Sequence, residues 1–270
     1  MRTTARSPIG VFDSGVGGLT VLQALTALLP HEDFIYVGDT ARVPYGTKSA
    51  ESVRRFSLEI ARFLKGRGVK MLVVACNTAS ALALTELHKA MPFPVLGVIE
   101  PGAHAALAGS TGGRVGVIGT EATIRSGAYE KALHRLSPGL RVISRACPLF
   151  VPLVEEGWVD HPVARAVARI YLEPLLQCNV DTLVLGCTHY PLLKPTLKKV
   201  VGRVKLIDSA EETAKDVRDR LRKEGLLAQG RPSRLEFFSS DDPEKFSRLG
   251  RLFLGRPLPG VRRVHLSGID

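Results

Sequence analysis

No apolar run in this 270-residue chain approaches the roughly 18 residues that a membrane-crossing helix needs, so a bilayer span is not expected. Cysteine is scarce. Cys76, Cys147, Cys178 and Cys187 are too few and too widely spaced for a disulfide framework, and in a reducing compartment they stay free thiols. No CxxC pair exists, which weakens both a redox motif and a zinc knuckle, and no metal site is expected. The opening residues Met1–Pro8 are polar and basic and lack the apolar stretch of a secretory signal. A cytoplasmic location follows as the expectation. No GK[ST] follows any glycine-rich turn, which excludes a P-loop. Gly15-Val16-Gly17-Gly18-Leu19-Thr20 resembles a dinucleotide loop, but Thr20 stands where the third glycine belongs and Asp13 would face a pyrophosphate. Helix-turn-helix, RNP and zinc-finger patterns are also missing.

What is present reads as ordinary globular material: 45% hydrophobic, 23% charged, with 26 glycines and 17 prolines. That length suits one large domain or two smaller ones, each with its own core. The net charge is +11. From Lys194 to Asp270 there are 18 Lys/Arg against 11 Asp/Glu, so +7 of the excess lies in this last part. Such a surplus could bind nucleic acid, but Glu211, Glu212, Asp216, Asp219 and Glu224 interleave with the bases as on a solvated amphipathic helix. A nucleic-acid partner is therefore not expected. A basic field also attracts anionic substrates without selecting one.

Strand and helix patterns alternate along the chain. Ile9–Phe12 predicts a strand, Leu19, Leu22, Leu25 and Leu29 a helix face, and Phe34–Val37 a strand followed by a turn-rich loop from Gly38 to Lys48. Val53, Phe56, Ile60 and Phe63 give a helix stopping near Gly66 and Gly68. Met71–Ala75 is a strand, Ala79–Ala90 a helix, and Val95–Ile99 a strand closed by Glu100-Pro101-Gly102. Then come a strand at Val115–Ile118, one helix through Tyr129, Leu133 and Leu136, a strand at Val142–Ser144, a helix over Val163–Leu176, and a strand at Leu183–Gly186. Helical spacing resumes at Leu193, Leu197 and Val200. The tail carries a helix (Ala214, Val217, Leu221), a strand at Leu235–Phe238, a helix (Phe246, Leu249, Phe253) and a strand near Val261–Leu266. This alternation predicts an α/β fold with mainly parallel sheets flanked by helices.

The two halves echo one another. Gly10-Val11-Phe12-Asp13-Ser14 is similar to Gly116-Val117-Ile118-Gly119-Thr120, and Val73-Val74-Ala75-Cys76-Asn77-Thr78 to Val184-Leu185-Gly186-Cys187-Thr188-His189. Two pseudo-symmetric lobes are expected: residues 1–98 plus 208–270 carrying Asp13 and Cys76, and residues 99–207 carrying Glu155, Cys187 and His189. Ligands of open α/β sheets sit beyond the carboxyl ends of the strands, so these segments should meet in one interlobe cleft.

A cysteine at the strand-to-helix junction of each half is the sharpest chemical feature. A helix N-terminus should lower a thiol's pKa, and Thr78 and Thr188 can cap or bind anions there. Each cysteine alone could be a small buried hydrophobe ending a strand. Two in matching polar contexts point to paired acid–base work: inverting a carbon centre needs a base on one face and an acid on the other. A single nucleophilic cysteine with His189 nearby would suggest acyl transfer instead, but that leaves Cys76 without a role.

Asp13-Ser14-Gly15-x-Gly17-Gly18, Gly38-Asp39-Thr40, Pro44-Tyr45-Gly46, Cys76-Asn77-Thr78-Ala79-Ser80 and Cys187-Thr188-His189-Tyr190-Pro191 resemble the signature segments of the glutamate racemases, within the aspartate/glutamate racemase family. The segment from Cys147 to Glu155 resembles a further one, and the match runs in family order from residue 9 to about 209. The resemblance implies a cofactor-independent racemase in which Cys76 and Cys187 are proton donor and acceptor, assisted by Asp13, Glu155 and His189. It implies that glutamate is held by Asp13, Ser14, Pro44, Tyr45, Gly46, Cys76, Asn77, Thr78, Thr120, Cys187, Thr188 and His189. The implied role is supply of D-glutamate for peptidoglycan, and the family often forms homodimers. Aspartate racemase shares the two-thiol logic and remains the rival. Bland alternatives stand for single residues: Asp13 could cap the first helix, His189 the helix after it, and Glu155 could sit on a surface turn beside Glu156. Asp39 could serve structure or charge balance, Cys147 packing. Cys178 carries no assigned chemistry. Without an electron sink, α-proton removal requires preorganised donors in a dry cleft, so lobe closure around the substrate is expected.

Overall fold

Residues 9–97 build a first α/β run: β1 (Ile9–Asp13), α1 (Leu19–Leu28), β2 (Phe34–Gly38), α2 (Ala50–Gly66), β3 (Met71–Val74), α3 (Asn77–Ala90) and β4 (Val95–Gly97). The next run is α4 (Ile99–Gly109), β5 (Arg114–Gly119), α5 (Glu121–Arg125), α6 (Ala128–Leu136), β6 (Arg141–Ala146), α7 (Phe150–Glu155), α8 (Pro162–Gln177), β7 (Thr182–Gly186), α9 (Lys194–Val201) and β8 (Lys205–Ile207). The chain closes with α10 (Ala210–Lys223), β9 (Leu235–Ser239), α11 (Pro243–Leu254) and β10 (Val261–Arg263). This computed structural model describes residues 4–258 and 260–266. Residues 1–3 of the polar opening, Pro259 and residues 267–270, all assigned from sequence to the first lobe, lie outside the described residues.

The strands form two all-parallel sheets. One has the order β10-β9-β2-β1-β3-β4 and the other β6-β5-β7-β8. The series β2-β1-β3-β4 and β6-β5-β7-β8 are the same topology twice, which is why the sequence echo fell on β1 and β5, and on β3 and β7. In each sheet the order reverses at the crevice between the echoed strands, the place where open α/β sheets bind ligands. β1, β2, β3 and β7 are buried along their whole lengths, as parallel strands covered by helices on both faces must be. We propose lobe boundaries at 98/99 and 207/208. The first sheet draws strands from residues 9–97 and 235–263, the second from 114–207.

Local sequence explains the helices. Ser49 caps α2 by accepting from Ser52 N at 3.2 Å, Val53, Phe56, Ile60 and Leu64 form its buried stripe, and Gly68 follows its end at φ +73°. Several expectations need correction. Glu100-Pro101-Gly102 does not close β4 but lies in the first turn of α4, where the missing proline N–H has no helical partner to lose. The helix expected through Tyr129, Leu133 and Leu136 is α6, and a short helix not anticipated, α5, precedes it, parted from it at Gly127 with φ +65°. The short helix α7 and the strand β8 had not been anticipated. The strand from Val95 ends at Gly97 and the last strand at Arg263.

At the end of the first sheet away from the cleft, Lys70 and Glu32 form a fully buried ion pair. Lys70 Nζ also donates to Ala5 O at 2.6 Å and Leu226 O at 2.7 Å, while Glu32 Oε1 accepts from Ala228 N at 2.7 Å. Burial lowers the Lys70 pKa and the Glu32 carboxylate opposes that shift. The pair ties the start of the chain, the α1–β2 connection and the segment after α10 into one knot.

Candidate active site

The carboxyl ends of β3, β5 and β7 deliver Cys76, Thr120 and Cys187 to the same interlobe cleft, while Asp13, ending β1, is fully buried and does not line it. Its walls are Ser14, Val43, Pro44, Tyr45, Gly46, Cys76, Asn77, Thr78, Thr120, Val151, Cys187, Thr188 and His189. One thiol therefore comes from each half. Cys76 is 5% exposed and Cys187 7%. The cleft volume is about 20 Å³, room for roughly one water.

Cys76 caps α3, with its Sγ donating to Ser14 Oγ at 3.8 Å. The expected drop in its pKa does not occur. Burial, then the charge of Asp13, push the thiol up to about 12, against the Ala79 N–H and the Ser14 hydroxyl. The helix end acts in the anticipated direction but is outweighed by desolvation. At Cys187 the expectation of a helix N-terminus is itself wrong. The chain leaves β7 into a 3-10 turn, Tyr190–Leu193, and α9 starts only at Lys194. Pro195 explains this: an α-helix running through residue 191 would need its N–H for Pro191 O, so the proline falls instead in the first turn of α9.

The polar neighbour of Cys187 is His189, whose Nδ1 lies 3.9 Å from the sulfur. His189 Nε2 lies 3.0 Å from Glu155 Oε1. Burial alone would depress the imidazole, but hydrogen bonding to Cys187 and Glu155 and their charges raise its pKa from 6.5 to about 10. Both partners thus favour the protonated imidazole. Glu155, 31% exposed at the end of α7, faces His189 rather than sharing a surface turn with Glu156. Nor does the His189 side chain cap the turn that follows.

Asp13 is fully buried and does not cap α1. Its Oδ2 accepts from Gly15 N at 3.0 Å and its Oδ1 from Thr188 Oγ1 at 3.4 Å, a bond between the lobes. Burial raises its pKa, while the His189 cation, the Gly15 and Gly18 N–H groups and the Thr188 hydroxyl hold it down. Thr78 Oγ1 meets Thr120 Oγ1 at 2.9 Å and Thr123 Oγ1 at 3.0 Å, so three hydroxyls cluster across the lobes. Glycines permit this closeness. A Cβ on Gly17 would stand 2.3 Å from Thr188 Oγ1, and one on Gly46 2.6 Å from Thr120 Cβ.

Sequence reasoning missed several residues here. Thr123 and Val151 sit inside segments read as helix or family motif. Asp39, left between structure and charge balance, is structural: it accepts from Arg42 Nε at 2.7 Å, Ser240 Oγ at 2.7 Å and the Tyr45 hydroxyl, fixing the loop that carries Tyr45 over the cleft. Cys147 is buried and its carbonyl accepts from Tyr190 OH at 2.8 Å. It does not line the cleft. Cys178 ends α8 and does not line the cleft. Among the described residues no His/Cys/Asp/Glu group is arranged to hold a metal, and no helix is long and apolar enough to cross a membrane.

The pH behaviour follows from the His189–Glu155 pair. Glu155→Gln removes one of the groups that raise the His189 pKa, so the imidazolium should deprotonate at lower pH. The high-pH limb of kcat/KM should move in the acid direction, measured as a rate–pH profile against the parent. A limb that stays in place would mean that Glu155 does not set the charge of His189.

The family model described as Asp/Glu/Hydantoin racemase matches residues 9–217. The chain is 59% identical over 264 residues to a glutamate racemase of Geobacter metallireducens, covering 96% of this chain and 97% of that protein. A crystal structure of a glutamate racemase isoform from Bacillus anthracis superposes with a TM-score of 0.93 at 44% identity, covering 96% of this chain and 98% of that one. The Francisella tularensis glutamate racemase in complex with D-glutamate superposes at 0.92 with 40% identity, covering 97% and 99%.

Proposed function

The chain belongs to the Asp/Glu/Hydantoin racemase family, and on that premise we propose that it interconverts L-glutamate and D-glutamate by moving a proton between the Cys76 and Cys187 thiols through the α-carbon. The observation that carries this reading is the pair of buried cysteines, one from each lobe, lining a single cleft. The proton inventory is asymmetric. Burial and Asp13 keep the proton on Cys76, while the other side carries the His189 cation beside Cys187. In one direction the α-proton passes to Cys187 while Cys76 gives its proton to the opposite face of the α-carbon; the reverse direction exchanges the two roles.

The α-carbanion spreads charge onto the substrate carboxylate, which the hydroxyls of Ser14, Thr78 and Thr120 support as donors, while the Asn77 amide holds that carboxylate equally before and during proton transfer. Tyr45, Gly46 and Pro44 close the cleft over the ligand. Asp13 accepts from the substrate ammonium. Pairing there offsets the second cause of the raised Cys76 pKa, so substrate binding itself eases proton release from Cys76. A cleft with room for one water does not admit glutamate as it stands, which supports parting of the lobes for access and closure around the bound substrate. The enzyme works in the cytoplasm, and its D-glutamate serves peptidoglycan synthesis.

Polarimetric or circular-dichroism assays starting separately from L-glutamate, D-glutamate and both aspartates test the assignment. Both glutamate enantiomers should converge on a racemic mixture, with kcat/KM at least about 10-fold above that for aspartate, since one missing methylene costs ~10–200-fold in a closed pocket. Faster turnover of aspartate would overturn the substrate.

A further inference from the structure

We propose that Tyr129, on α6 of the second lobe, is a positioning residue that fixes the Asn77 side-chain amide across the lobes so that its NH2 group faces the substrate carboxylate. The inference rests on the glutamate reading above and deepens it. Tyr129 is fully buried, and its hydroxyl donates to Asn77 Oδ1 at 2.7 Å. A phenol oxygen can also accept, but here the Ser209 hydroxyl bears on it as donor, which leaves the phenol proton for Asn77; since only the amide oxygen can accept it, the bond decides which end of Asn77 is engaged. The Nδ2 group finds no acceptor among the described residues, and Asn77 lines the cleft with Cys187 and Thr188. A free NH2 donor in a site built for a carboxylate is complementary; a free carbonyl oxygen would repel it.

Tyr129 is held where it can do this. Its hydroxyl lies 3.1 Å from the position of a Cβ on Gly102, and its ring 3.0 Å from one on Gly186, the residue before Cys187. The Ser209 hydroxyl also bears on the phenol. One ring thus touches α4 beside the first lobe connection, Ser209 beside the second, and the strand end that presents Cys187. Burial and the charge of Cys187 push the phenol well above its ordinary pKa, so it remains a donor across the working pH range.

The test compares Tyr129→Phe, Asn77→Ala and the double variant in the glutamate assay, with Tm recorded for each. Tyr129→Phe should raise KM for both enantiomers about tenfold while kcat changes less than about threefold, because the lost orientation weakens a contact both enantiomers share. The double variant should match Asn77→Ala alone, since Tyr129 acts through Asn77. Parental KM in Tyr129→Phe, or additive losses in the double variant, overturns the proposal. Should Tyr129→Phe fold poorly, Asn77→Asp reads the same orientation: it keeps the acceptor for Tyr129 but sets an oxygen where the NH2 stood, and should raise KM more than about tenfold. Parental KM in Asn77→Asp also overturns the proposal. A parent chain that turns over no glutamate fails the functional reading and this inference together; a competent parent with an unaffected Tyr129→Phe fails the inference alone.

Discussion

Cys76→Ala and Cys187→Ala are each expected to lower racemisation by about 10³-fold or more, with opposite consequences for solvent hydrogen exchange. Loss of a positioned acid or base costs ~10²–10⁴ in rate, and here each thiol serves as base in one direction and acid in the other. Removing either should therefore stop both directions. In D2O, however, the remaining thiol can still exchange the α-hydrogen of the enantiomer whose hydrogen points at it. Wash-in of deuterium should survive for one enantiomer in Cys76→Ala and for the other in Cys187→Ala, followed by NMR of the recovered amino acid. Neither variant should unfold, because each change removes one sulfur from a residue that already borders the cleft. If one variant racemises at the parental rate, that cysteine is not an essential acid or base.

Gly17→Ala is expected to cut kcat/KM by about 10²-fold without a comparable loss of Tm. The added methyl would meet Thr188 Oγ1 at 2.3 Å, His189 Nδ1 at 2.6 Å and His189 Cε1 at 2.7 Å. None of these atoms can yield alone. Thr188 is bonded to Asp13 and His189 to Glu155, so the strain passes into the lobe seam or displaces the cation beside Cys187. A shift of about 1 Å in such a constellation costs ~10²-fold. Gly66→Ala is the control: a Cβ there meets nothing within 4 Å at the end of α2, so its rate should be parental and its stability slightly higher. Parental kcat/KM in Gly17→Ala would show that the seam tolerates a methyl group and that its tightness has no catalytic meaning.

Much of the fold was legible because parallel strands and their helices obey local patterns. The apolar runs at Ile9, Met71 and Leu183 and the echo between halves carried the two-sheet architecture. The cysteines, Asp13, His189 and Glu155 were legible as residue types at strand ends or within recognised segments. What stayed hidden depended on partners far along the chain. Tyr129 reads as one more core residue of an amphipathic helix until Asn77, 52 positions earlier, is seen against it. Asp39 shows its role only once Ser240, 201 positions later, bonds to it. The thiol electrostatics failed for a different reason: proximity to a helix start is visible in sequence, but the depth of burial that outweighs it at Cys76 is a property of the closed lobes.

The buried Lys70–Glu32 pair has a bearing on how the chain is made. Its knot needs Leu226 and Ala228, and β2 gains its outer neighbour only when β9 arrives. During synthesis the first lobe must wait, with an unpaired lysine and an open sheet edge, while residues 99–207 emerge between its two parts. The half of the enzyme that leaves the ribosome first is thus the half that matures last, and chain truncation anywhere before residue 228 should yield aggregation rather than a stable fragment.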